Sequence, residues 1–246
     1  MGDAAPTGLS APVCKELLER FPQFSRVLNV EYRLSQGPPF QIENPFPAAL
    51  IDAATAYNYL VTGLGFQPRN ILVMGDSAGG TLAFQLVRYL TSQELSNLAV
   101  PGGLLLLSPS MDWGESHKGH RSSYTRNQST DWVDAFNLGY CTGALLGRLP
   151  RSEAEVNSWI SPASLALPNL QGLYKGFPPT LFFAGGGEMT LDAMKDAAAH
   201  LAADIGDEVE FIEQRDATHI ILGLPWHNRE KEEAYQLIGE WVGRHF

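Results

Sequence analysis

Three residues far apart in the chain have the types that nucleophilic chemistry requires: Ser77, Glu188 and His219. A serine hydroxyl is a weak nucleophile until a base takes its proton, and the base works best when an acid fixes its tautomer. Ser77 lies in Gly75-Asp76-Ser77-Ala78-Gly79, a G-x-S-x-G turn between an apolar run, Ile71 to Met74, and a helix-forming segment. That context predicts a strained strand-to-helix elbow, in which glycines let neighbouring backbone pass close by. The N–H of Ala78, at the start of the helix, points to where an oxyanion would form.

Six histidines compete for the role of base. His200 falls within a predicted helix, His245 is next to the C-terminus and His227 begins the last predicted helix. His117 and His120 share a polar loop with Glu115, where solvation is a better reading than a metal site. His219 follows the last predicted strand, where the carboxyl edge of a sheet presents it. Glu188 follows "FFAGGG" and leaves the same edge, whereas Asp192 falls inside a helix as a structural or capping partner. The order Ser, acid, His differs from that of the all-β proteases, whose serine comes last.

The elements that must position these residues alternate. Strands are predicted at Val27–Tyr32, Ile71–Met74, Leu104–Leu107, Thr180–Ala184 and Val209–Ile212. Helices are predicted from Pro47, over Thr81–Leu90, over Leu191–Ala203 and over Arg229–Arg244. This rhythm implies a single α/β domain over 1–246, with a mostly parallel sheet and helices on both faces. A polar and aromatic stretch, 113–160, interrupts it and is expected to be a lid-like insertion.

The 246 residues carry 17 Lys and Arg against 27 Asp and Glu, a net charge of −10 that argues against nucleic acid as a partner. No run approaches the length of a membrane span, and the N-terminus lacks the apolar core of a signal peptide. Two cysteines, Cys14 and Cys141, form neither a metal spacing nor a disulfide framework. A cytoplasmic protein is expected.

Beyond the elbow, "VEYRL", "PAALIDA", "LLLLSPSMDW", "SPAS" and "PPTLFFAGGGE" resemble the hormone-sensitive-lipase branch of the α/β-hydrolases, most of all its fungal esterase-like members. The resemblance covers nearly the whole chain. It implies Ser77 as nucleophile, Glu188 as acid, His219 as base and Ala78 as an oxyanion donor, with no metal or organic cofactor. The implied reaction is hydrolysis of a small or medium carboxylic ester through an acyl-enzyme. Asp76, Trp113, Trp132 and Phe136 are the expected substrate-binding residues; Tyr124 and Tyr140 could join the aromatics in walling an acyl pocket, or all of these rings could be simple core.

The family's H-G-G-G oxyanion motif does not occur in the sequence. Met1-Gly2-Asp3 resembles the residues that follow those glycines. The expectation is therefore a chain that begins just past the oxyanion loop, lacking the first sheet strands and part of the lid. The strand before that loop normally lies between Val27–Tyr32 and Ile71–Met74. Without it those two strands either pair directly or leave an open edge that favours a homo-oligomer. The alternative to an esterase is a catalytically impaired or repurposed binding protein on the same scaffold.

Overall fold

The computed structural model describes residues 10–92, 96–135 and 138–246; Met1-Gly2-Asp3 and Phe136 lie outside them. Four strands form one parallel sheet in the order β1 (Leu72–Asp76), β2 (Gly103–Leu107), β3 (Thr180–Gly185), β4 (Val209–Gln214). Register runs from Leu72 opposite Gly103, through Leu104 opposite Thr180, to Thr180 opposite Val209. The helices are α1 (Ser10–Arg20), α2 (Ala48–Asn58), α3 (Ala78–Thr91), α4 (Ser123–Arg126), α5 (Leu138–Leu146), α6 (Glu153–Val156), α7 (Leu191–Ile205) and α8 (Asn228–His245). The short helices α4, α5 and α6 all belong to the long connection between β2 and β3.

Side chains alternate across a strand, so a sheet covered on both faces needs apolar residues at every position. Strands β2 and β3 meet this requirement. Leu104, Leu106, Phe182 and Ala184 face one layer, with Phe84 and Val87 of α3 and Met194 and Leu201 of α7. Leu105, Leu107, Leu181 and Phe183 face the other, with Leu17 of α1 and Tyr235, Ile238 and Trp241 of α8. Helix α2 packs outside α3, Leu50 and Tyr57 meeting Leu82 and Leu86.

Val27–Tyr32 corrects the reading of the sequence: it forms no strand. Val27 and Leu28 are 43% and 46% exposed. A β-branched run favours extended backbone, but a strand also needs a neighbour for its N–H and C=O groups. Among the described residues β1 pairs with β2 alone, so direct pairing of Val27–Tyr32 with β1 does not occur. The segment is anchored by its end instead, with Tyr32 packed against the α2–α3 cluster and the Arg33 N–H and guanidinium donating to Asp52. Helix α1 was not foreseen.

Candidate active site

All four strands run in one direction, so their carboxyl ends share one edge. Ser77 follows β1 directly, Ser108 follows β2 directly, Glu188 lies in the turn after β3 and His219 in the turn after β4. Among the described residues four non-glycine residues have positive φ, and three of them are here: Ser77 (φ 53°), Ser108 (φ 47°) and Ile220 (φ 57°). Such conformations persist only where the surroundings over-determine them, and they gather at working sites. At Ser77 the surroundings are evident. Its N–H donates to the Leu107 carbonyl across the sheet, and its own carbonyl accepts the Gly80 and Ser110 N–H groups. A Cβ on Gly75 would land on the Gly79 carbonyl, so only glycine allows the elbow to close.

The three residues singled out by type meet in space. Ser77 Oγ is 2.9 Å from His219 Nε2, and His219 Nδ1 is 2.8 Å from Glu188 Oε2. With the ring proton on Nδ1, the imidazole donates to Glu188 and accepts from the Ser77 hydroxyl. Glu188 is fully buried and its other oxygen accepts the Ser108 hydroxyl at 2.7 Å and the Gly185 N–H at 2.6 Å. A carboxylate so deep is tolerated because donors surround it. Burial works against a charge on His219, yet Glu188 at Nδ1, with Asp131 and Asp76 nearby, outweighs it and raises the imidazole above its ordinary value.

Ala78 is the first residue of α3, where backbone N–H groups have no helical acceptor. Asp76 ends β1 and is exposed. Trp132 lies beside His219: its indole N–H donates to the His219 carbonyl at 2.9 Å and its ring centroid is 5.6 Å from the imidazole. Trp113 packs against Leu146, Ala154 and Ile160 and lines a cavity of about 200 Å³ that neither Ser77 nor His219 touches.

A larger cavity of about 590 Å³, lined among others by His117, Arg121, Asp192 and Lys195, also excludes Ser77, Glu188 and His219. His117 there is bonded to Asp112 at 2.7 Å and to Asp196 at 2.9 Å. Among the described residues no three His, Cys, Asp or Glu side chains are grouped to hold a metal. Asp192 accepts the Ser123 N–H at 2.7 Å and so caps α4, the structural role expected of it.

Sequence reasoning missed Ser108. Its hydroxyl donates to Glu188 and accepts the Ile220 N–H at 3.1 Å, tying Glu188 to the loop of His219. A polar residue directly after a fully apolar strand, at the same edge as Ser77, was the available signal. Asn127, Asp131 and the hydrogen bond of Trp132 carried no local signal at all.

The profile described as the alpha/beta hydrolase fold matches residues 5–223. The chain belongs to the α/β-hydrolase-fold family. Esterase LipU of Mycobacterium tuberculosis is 33% identical over 189 residues, 76% of this chain and 57% of that protein. An acetyl-hydrolase of Streptomyces hygroscopicus is 29% identical over 201 residues, 82% of this chain and 57% of that one. The chain thus spans little more than half the length of these curated relatives. Among solved structures, a hormone-sensitive lipase from a metagenome library superposes with a TM-score of 0.70 at 28% identity, covering 88% of this chain and 66% of that chain. The chain thus sits in the hormone-sensitive-lipase-like part of that family.

Proposed function

We propose that the protein is a serine hydrolase that cleaves a small or medium carboxylic ester through an acyl-enzyme. The observation that carries this reading is the continuous chain Ser77 Oγ to His219 to Glu188, at 2.9 and 2.8 Å, built on a strained serine. His219 Nε2 takes the hydroxyl proton as Ser77 Oγ bonds to the ester carbonyl carbon. Glu188 holds the resulting imidazolium, and the Ala78 N–H faces the oxyanion. The imidazolium then protonates the leaving alcohol as the C–O bond breaks. Water, deprotonated by the same imidazole, releases the acid and restores Ser77. The reading needs no metal or organic cofactor.

The name of one relative, an acetyl-hydrolase, supports a short acyl group, and that of the other supports an ester substrate. Asp76 and Trp132 stay in the reading as substrate-binding residues, whereas Trp113 faces a cavity apart from Ser77 and His219, and 113–160 is read as a lid-like insertion. No helix among the described residues is long and apolar enough to cross a membrane, both cysteines are free thiols, and a cytoplasmic setting stays part of the proposal. Turnover of p-nitrophenyl acetate by the protein, lost in Ser77→Ala, is the expected result. Equal turnover by wild type and variant would remove Ser77 from the chemistry, and a folded protein without turnover would favour a binding module on this scaffold.

A further inference from the structure

The turn that carries Glu188 is gripped from two sides. From within the sheet, the Gly186 and Gly187 N–H groups donate to the Gln214 and Ala217 carbonyls, both at 2.9 Å. From outside, one stretch of the β2–β3 connection takes the groups that remain. The Asn127 amide donates to the Gly186 carbonyl at 3.1 Å and to the Glu188 carbonyl at 2.8 Å. One side chain reaches both carbonyls only while the turn keeps its curl. Asp131 accepts the Met189 N–H at 2.8 Å, and the Ser123 hydroxyl donates to the Met189 carbonyl at 2.9 Å. The next residue, Trp132, donates to the carbonyl of His219. Adjacent side chains therefore hold the acid turn and the base.

We infer that Asn127, Asp131 and Trp132 are positioning residues that brace Glu188 and His219, so this stretch is a fixed part of the site and not a moving cover. The inference rests on the hydrolase reading and adds to it. Asp131 is 4% exposed, a depth at which a carboxylate needs its donors. Lifting the stretch would strand Asp131 together with the carbonyls of the acid turn. The brace also has an electrostatic side. The charged groups facing His219 are Glu188, Asp131 and Asp76, and each favours the imidazolium.

The test compares the full chain with Trp132→Phe, which keeps a ring over the imidazole but loses the indole N–H, and Asp131→Asn, which keeps the shape but loses the charge. The rate of Ser77 labelling by a fluorophosphonate probe is followed against pH, and the His219 ring is titrated by NMR. Circular dichroism checks that each variant is folded. Both folded variants should label about 10- to 100-fold more slowly, the scale expected when a reacting group is misplaced. Asp131→Asn should also move the acid limb of the profile, and the NMR titration of His219, to lower pH; Trp132→Phe should leave the limb in place.

A stretch that only supports the fold would lower the melting temperature and leave both readouts of the folded protein unchanged, which would overturn the inference. If wild type does not label at all, the hydrolase reading falls, and the His219 titration decides the brace: a shift in Asp131→Asn supports it and an unmoved titration overturns it. If Asp131→Asn does not fold and wild type labels, Trp132→Phe decides, and an unchanged labelling rate counts against the brace.

Discussion

Glu188 is the residue on which the site is most exacting. Its two oxygens meet the Gly185 N–H, the Ser108 O–H and the His219 ring, all of them donors. Glu188→Gln would turn its amide NH₂ toward His219 Nδ1, which can accept it only with the ring proton on Nε2, the wrong tautomer for a base. On the proposed mechanism, kcat for p-nitrophenyl acetate should fall about 10³- to 10⁴-fold with the fold intact, as when a triad acid loses its charge; a loss below tenfold would show that the acid lies elsewhere. Ser108→Ala removes the one hydroxyl shared by Glu188 and the Ile220 N–H, and kcat should fall about tenfold with little change in KM. The acid limb of kcat/KM should lie above the ordinary histidine value of 6.5, because Glu188 favours the charged imidazole and only the neutral form can act as base.

The elements explain why such distant residues meet, and they divide what the sequence reveals from what it hides. Strands β2 and β3 are apolar on both faces, so their place in the middle of a parallel sheet is legible from composition and length. The glycines flanking Ser77 and Glu188 are legible as turns, but the reason for them is three-dimensional: a Cβ on Gly185 would fall on the Ala217 carbonyl of the loop that carries His219. Gly75→Ala and Gly185→Ala should therefore abolish soluble, folded protein. Gly119→Ala, which has open space around it, should leave expression and the circular dichroism spectrum unchanged. Val27–Tyr32 marks the limit of local reading. Its pattern is that of a strand, but pairing depends on what lies beside it. Helix α1 was hidden for another reason: its sequence, SAPVCKELLER, is short, and it gains its stability from tertiary packing, in a cluster with Ile221, Leu222 and the apolar face of α8.

At the scale of the whole molecule, His117 ties the start of the β2–β3 connection to α7. Both ring nitrogens face carboxylates, Asp112 and Asp196, so both must donate and the ring must be charged to satisfy them. Burial opposes that charge, but the two carboxylates prevail and raise His117 above its ordinary value. A histidine raised on folding contributes stability that is fully present below its unfolded value of 6.5 and is lost as pH rises through the folded value. Asp112 behaves in the opposite sense. Burial pushes it up, but His117, Ser116 and the Gly114 N–H bring it below the ordinary carboxylate value, so its contribution disappears in acid. His117→Ala should lower the melting temperature at pH 5.5 to 6, the difference shrinking at alkaline pH. A difference independent of pH would mean that the ring acts by packing alone.

The central claim is that Ser77, His219 and Glu188 work as one unit. The most direct measurement is intact-protein and peptide mass spectrometry after treatment with a fluorophosphonate probe, on wild type and on His219→Ala. A single adduct at Ser77, lost in the variant while its fold persists, is the predicted result. An unlabelled wild type of normal circular dichroism, or labelling that survives without His219, would contradict it.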